Sequence, residues 1–225
     1  MSDIRIFILF ALSFLFVQCT PTQGKTKPDS KPEVKNVILL IGDGMGVSQF
    51  YSGITAKKGL NMEKAQFVGL AKTYSASSYI TDSAAAGTAL ASGTKTNNGA
   101  IGVDENGNEV KSILEYAAEN GLSTGVVASC AVTHATPASF VAHQLKRSME
   151  EEIAVDFVNS DITLFIGGGR KYFDARSDDK DLLPELEAKG FKVALDMESV
   201  MNTESGKLAA LIADEHPAPY PERGE

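Results

Sequence analysis

Across its 225 residues the chain holds only two cysteines and three histidines. So few thiols exclude a disulfide framework. If Cys19 carries a lipid, Cys130 is the one thiol left and no internal disulfide is possible. Cys130 lies in the strand-like run Val126-Val127-Ala128-Ser129-Cys130-Ala131-Val132, which reads as buried filler and not as a reactive nucleophile. Basic charge is also short. Lys and Arg number 21 against 29 Asp and Glu, for a net charge of −8. No Lys/Arg stripe offsets this, which argues against nucleic acid as a partner. There is no internal repeat. The apolar run at residues 6–17, broken only by Ser13, is shorter than the ~20 residues a spanning helix needs. The remaining composition, with 43% apolar residues, 22% charged residues and 20 glycines, is that of an ordinary globular domain.

That short run has the length of a signal h-region. Its n-region is weak, because Asp3 offsets Arg5. Cys19 follows at the expected cleavage point in Phe16-Val17-Gln18-Cys19. This is an imperfect lipoprotein box, since Gln18 is larger than the usual small residue. We expect a signal peptide over residues 1–18 and a lipid on Cys19, with an ordinary cleaved signal as the alternative. Residues 19–35 are polar, with Pro21, Pro28, Pro32 and several lysines, and read as a flexible tether lifting the domain off a membrane. From these features we expect secretion across the inner membrane, as a periplasmic or cell-envelope lipoprotein. The domain then occupies residues 36–225.

Strands and helices alternate along it. Strands are expected at 36–41, 67–74, 122–132, 162–166, 191–195 and 208–213. Helices are expected from about Gly46, over 83–91, after the capping box Ser112-Ile113-Leu114-Glu115 with Gly121 as its stop, after a second capping box Ser148-Met149-Glu150-Glu151, and over 182–189. Asn106-Gly107 reads as a hairpin turn, since the acidic spacing around it fails the EF-hand pattern. The alternation predicts an α/β fold with a mostly parallel central sheet and helices on both faces.

Two motifs carry chemistry. Tyr79-Ile80-Thr81-Asp82-Ser83-Ala84-Ala85-Ala86-Gly87-Thr88-Ala89 puts Asp82 at a helix N-cap and Ser83 in the first turn. A hydroxyl there lies among unpaired N–H groups at the positive end of the helix dipole, a setting that favours phosphate. By itself it is more often a simple cap. Upstream, Asn36-Val37-Ile38-Leu39-Leu40-Ile41-Gly42-Asp43-Gly44-Met45-Gly46-Val47-Ser48 is an apolar run ending in Gly-Asp-Gly, which presents Asp43 where α/β proteins bind ligands. Its G-x-G-x-G spacing is not the dinucleotide fingerprint. The structural alternative is a tight turn with a capping aspartate.

Together with Thr133-His134-Ala135-Thr136-Pro137, the arginine-bearing Val141-Ala142-His143-Gln144-Leu145-Lys146-Arg147, and the strand leading into Gly167-Gly168-Gly169, these blocks resemble the alkaline phosphatase family in order and spacing from about Asn36 onward. The resemblance implies an alkaline-phosphatase-like fold and a phosphomonoesterase acting through a phosphoserine, with two zinc ions and one magnesium ion. Ser83 falls on the nucleophile. Asp82 falls on the residue that orients a phosphate-binding arginine, and Arg147 on that arginine. Asp43 falls on the carboxylate shared by a zinc and the magnesium site. Thr136 falls on a magnesium ligand, and His134 on a position of the same site held by aspartate in some members. An imidazole is the poorer partner for magnesium. His143 and His216 match no ligand, the first reading as structural and the second as part of a loop. The net negative charge repels anions at long range, so phosphate capture must be local and metal-assisted.

The implied substrates are small phosphomonoesters, and the family is commonly a homodimer. The chain stops about midway through the family's fold, before the motifs that supply most zinc ligands, and so reads as a truncated product or fragment that is inactive alone. Zinc sites use three or four protein ligands. The alternative is a non-catalytic envelope lipoprotein keeping a remnant of the fold. A phosphodiesterase or sulfatase relative is disfavoured by Thr81-Asp82-Ser83, because those enzymes use a threonine or modified cysteine.

Overall fold

A computed structural model describes residues 34–222. The expected signal peptide, Cys19 and all but the last two residues of the expected tether lie outside the described residues. The chain forms two units, Met1–Ile41 and Gly42–Glu225. In the first, residues 36–41 are exposed, Ile38 to 84%, and belong to no helix or strand among the described residues. The expected strand is therefore corrected. So is that at 67–74, which is irregular, with Leu70 fully exposed at 100%. A strand is completed by a partner's row of N–H and C=O groups, and apolar composition alone does not supply one.

The second unit is built on four parallel strands: β1 (Gly125–Ala131), β2 (Leu164–Gly168), β3 (Phe191–Ala194) and β4 (Lys207–Leu211), in the spatial order β1-β2-β4-β3. Side chains alternate across a strand. One face of the sheet carries Val126, Phe165, Ala209, Leu211 and Phe191 into the main core. Phe165 is its centre. Its ring meets Phe157 edge-on at 5.1 Å, Phe191 at 5.7 Å and Phe173 in a stack at 6.1 Å. The covering helices are α5 (Glu150–Asn159), α6 (Lys171–Asp174) and α7 (Leu183–Ala188). On the other face, a smaller cluster of Leu208, Ala210 and Ala194 packs with Val200 of α8 (Met197–Met201). Both faces thus carry helix, unequally, and Val127 on β1 is 71% exposed.

Preceding the sheet come α1 (Val47–Lys57), α2 (Ser83–Ser92) and α3 (Ile113–Glu119). The helix α1 starts close to the expected Gly46. The Ser112 capping box forms as read. Ser112 Oγ accepts from Glu115 N at 3.2 Å, and the Glu115 carboxylate accepts from Ser112 N at 2.7 Å. The Asn106-Gly107 hairpin also forms, with Asp104 N donating to Asn108 O at 2.8 Å. The second capping box does not. Met149, not Ser148, is the N-cap of α5, with no side-chain cap bond. Tertiary partners take its glutamates. Thr133 Oγ1 donates to Glu150 at 2.9 Å, and Ser177 donates to Glu151 through its N at 2.8 Å and its Oγ at 2.7 Å.

The fold delivers the phosphatase-like motifs to one end of the sheet. β1 runs out at Ala131 into Thr133, His134 and the short helix α4 (Ala135–Ala138). α2 lies against α4 through small residues. A Cβ on Gly87 would come within 2.8 Å of Ser139 Oγ, and that hydroxyl donates to Ala135 O at 2.7 Å and Ala84 O at 3.3 Å. Glycine at 87 is what allows this approach. Gly168 plays a similar part at the end of β2, where a Cβ would run into the Glu215 carbonyl.

Ser112 is buried, and its hydroxyl also donates to Phe140 O at 2.8 Å. Ser112→Ala removes a cap and leaves a buried carbonyl short of a partner. It should cost about 1–2 kcal/mol in urea unfolding with an unchanged m-value.

Candidate active site

The site begins with the N-cap of α2. Three alanines at 84–86 favour helix, and Asp82 sits before them in extended conformation, its Oδ1 accepting from Ala85 N at 3.0 Å. Ser83 is therefore the first helical residue, where backbone N–H groups have no partner within the helix. The other Asp82 oxygen, Oδ2, accepts from Gly99 N at 3.1 Å and from Arg147 Nη1 at 3.2 Å. One carboxylate thus fixes the helix start, a turn and a guanidinium.

Arg147 extends its second nitrogen, Nη2, to His134 Nε2 at 3.1 Å. A guanidinium only donates, so His134 Nε2 accepts and the ring is neutral with its proton on Nδ1. Burial, then the charge of Arg147, then His216 hold the His134 pKa below the usual range, against the opposing pull of Glu150 and Asp43. The His134 and His216 rings meet edge-on with centroids 5.4 Å apart, and His216 Nδ1 accepts from Ala131 N at 3.0 Å.

Asp43 closes the site from the other side. It stands in a tight turn in which Met45 N donates to Gly42 O at 3.1 Å. Ser83 Oγ donates to Asp43 Oδ1 at 3.1 Å, and Thr136 Oγ1 donates to Asp43 Oδ2 at 2.7 Å. Residues 40 and 93 positions apart in sequence share this carboxylate. The structure brings all six sequence-predicted residues into one chain of hydrogen bonds and packed elements: Thr136–Asp43–Ser83, then Asp82–Arg147–His134.

Asn98, Thr133 and Glu150 were given no site role from the sequence and border the site, and so does His216, which was read only as part of a loop. Their link to it is non-local. Only the TNNG stretch offered a signal, and nothing in it told Asn98 from Asn97. His143 is structural as read, with Nδ1 against Gly102 O at 2.6 Å and Nε2 against Glu115 at 3.3 Å.

Asp43 and Asp82 contribute two negative charges and Arg147 one positive. The site therefore carries an excess of negative charge that an added cation would offset. Carboxylate and hydroxyl oxygens of Asp43, Ser83 and Thr136 are hard donors in one place, and this set fits magnesium. Among the described residues no group of three or more His, Cys, Asp or Glu stands ready to hold a metal ion. Toward zinc, the described residues offer Asp43 and Ser83 alone, short of a zinc coordination set.

A family model described as alkaline phosphatase matches residues 34–216. The chain belongs to the alkaline phosphatase family. Alkaline phosphatase 3 of Bacillus subtilis is 39% identical over 203 residues, covering 84% of this chain and 44% of that protein. Alkaline phosphatase 4 of the same organism is 36% identical over 208 residues, covering 85% of this chain and 45% of the relative. Among solved structures, alkaline phosphatase from the Antarctic bacterium TAB5 superposes with a TM-score of 0.74 at 45% identity, over 81% of this chain and 54% of that one. A variant of the TAB5 alkaline phosphatase with a histidine changed to aspartate was solved with Mg bound in its M3 site. The chain spans about half the length of the relatives it matches.

Cys130 lies on β1, half-buried. Burial first, then the charges of Asp43 and Glu150, push its thiol pKa up. A raised pKa means less thiolate at any given pH. In a Cys19→Ser background, Cys130 should react with a disulfide reagent at pH 8 several-fold more slowly in the native protein than in urea.

Proposed function

We propose that this alkaline phosphatase chain carries the nucleophile side of a metal-dependent phosphomonoesterase working through a phosphoserine at Ser83. The observation that carries the reading is the placing of Ser83 Oγ at a helix start, hydrogen-bonded to Asp43, beside an arginine fixed through Asp82.

Attack by Ser83 Oγ on phosphorus forms the serine–phosphate bond and breaks the ester P–O bond, releasing an alcohol. Water then cleaves the phosphoserine. In the resting site Asp43 Oδ1 accepts a hydrogen bond from the Ser83 hydroxyl. Asp43 and Thr136 would hold magnesium, with His134 beside them, and Asp43 and Ser83 would be this chain's share of a zinc site. When bound, these cations supply charge neutralisation and lower the pKa of coordinated hydroxyl groups. Arg147 presents a planar fork that suits two phosphate oxygens better than an ammonium would. Its anchoring to Asp82 and His134 spends its flexibility before substrate arrives, which favours oriented capture. The reading includes two zinc ions and one magnesium ion, small phosphomonoester substrates, a homodimer, and a cell-envelope location through lipid on Cys19.

The test uses the protein as produced from its native gene. Incubation with labelled inorganic phosphate at acidic pH, followed by peptide mapping, should place the label on Ser83. Ser83→Ala should lose several orders of magnitude in kcat, because the covalent route is gone. Label elsewhere would sink the assignment.

The location has its own test. A fatty-acid probe fed to cells should tag the wild type and not Cys19→Ser. Equal tagging of the two, or none in either, would leave an ordinary signal peptide.

A further inference from the structure

We infer that Asn98 is a positioning residue for the phosphorylation step. The inference rests on the reading of Ser83 as nucleophile. The segment entering α2 is poorly supported from elsewhere. Tyr79 and Ile80 are exposed, and the local bonds are those of Ser78 Oγ to Ile80 N at 3.3 Å and Thr81 Oγ1 to Asp82 O at 3.1 Å. Across this segment lies the side chain of Asn98. Its Nδ2 donates to Ile80 O at 2.9 Å, and its Oδ1 accepts from Asp82 N at 3.2 Å. A carbonyl only accepts and an amide N–H only donates. The two partners therefore demand a side chain with a donor and an acceptor side by side, and a carboxamide of this length meets both.

Asn98 is itself anchored. Its N donates to Ser77 Oγ at 2.9 Å, and Ala100 N donates to Asn97 O at 3.1 Å to close the turn. The same turn fastens the rest of the site. Gly99 N donates to Asp82 Oδ2 at 3.1 Å, and Gly99 O accepts from Arg147 N at 2.7 Å. Side chain and main chain of the turn divide the work. The Asn98 carboxamide sets the Asp82 backbone, and with it the start of α2 and the direction of Ser83 Oγ. The Gly99 peptide groups hold the Asp82 carboxylate and the Arg147 backbone whatever side chain stands at 98. The phosphate-binding arginine should thus keep its place when Asn98 is changed, while the nucleophile loses its aim. Displacement of a reacting atom by about 1 Å is enough for a large rate loss.

The experiment compares Asn98→Leu, which removes donor and acceptor, and Asn98→Asp, which keeps the acceptor and sets a carboxylate against the Ile80 carbonyl. Both are assayed on p-nitrophenyl phosphate in the protein produced from its native gene, with Ser83→Ala alongside. Readouts are kcat, the inhibition constant for inorganic phosphate, the single-turnover rate of Ser83 phosphorylation, and the melting midpoint. In both variants kcat and the phosphorylation rate should fall about tenfold or more. The phosphate inhibition constant should stay within about threefold and the melting midpoint within a few degrees. A general loosening of the site would move phosphate affinity in step with kcat, and that result overturns the inference. So does a kcat within twofold of wild type in either folded variant while Ser83→Ala is inactive. Full activity in Ser83→Ala would instead overturn the nucleophile reading beneath it.

Discussion

The Asp82 carboxylate is the fixture on which the site depends. It accepts from Ala85 N, Gly99 N and Arg147 Nη1. The first bond starts a helix, the second ties that helix to a turn, and the third holds a cation. A carboxylate has room for about four such bonds, so this one is nearly saturated before any ligand arrives. Its charge is also matched on two sides, by the helix dipole and by the guanidinium. Local helix physics and site geometry are thus one interaction. Loss of the carboxylate itself would take away the helix cap and the arginine's partner together.

Small residues let that fixture meet the sheet. Ala84, Ala85, Gly87, Thr88 and Ala91 form the buried side of α2. Such side chains bury little apolar area each, so α2 gains less from the hydrophobic effect than a leucine-faced helix would. What they provide is closeness. With no Cβ at Gly87, the turn carrying Thr136 comes near enough for Ser139 to bond across to Ala84 O. Thr136 and Ser83 can then share Asp43. The larger side chains are kept for the far layer, where Phe157, Phe165 and Phe173 fill the space between sheet and helices.

What the sequence made legible follows from how far apart the interacting residues lie. The α2 boundaries, the Ser112 capping box and the Asn106-Gly107 hairpin are decided within a few residues, and all three form as read. The four strands are found in order: β1, β3 and β4 are shorter than expected, and β2 keeps its expected length but is shifted two residues along the chain. The runs at 36–41 and 67–74 carry the same apolar signal as those four, and neither pairs among the described residues. Ser148 had the pattern of a cap, and its glutamates went to Thr133 and Ser177. Composition cannot distinguish these cases, because a partner from elsewhere decides them. The site residues became legible through the family resemblance. Asn98 and His216 did not, since their partners lie 16 and 85 residues away.

The charge pattern and the topology meet at the end of β1. Val132 N donates to Gly168 O at 3.0 Å, Ala131 N donates to His216 at 3.0 Å, and His134 follows directly. His134 is thereby tied to three parallel strands, through β1 itself, the end of β2 and the loop after β4. Burial and Arg147 keep its ring neutral. A charged imidazole would repel the guanidinium it now supports and would have no lone pair for it at Nε2. The neutral ring accepts from Arg147 without adding a second positive charge beside it, and its own position is set by the sheet. Positive charge at this site is therefore scarce and rigidly placed. On the proposed reading, the acidic groups around it, Asp43 foremost, are what would draw added cations beside it.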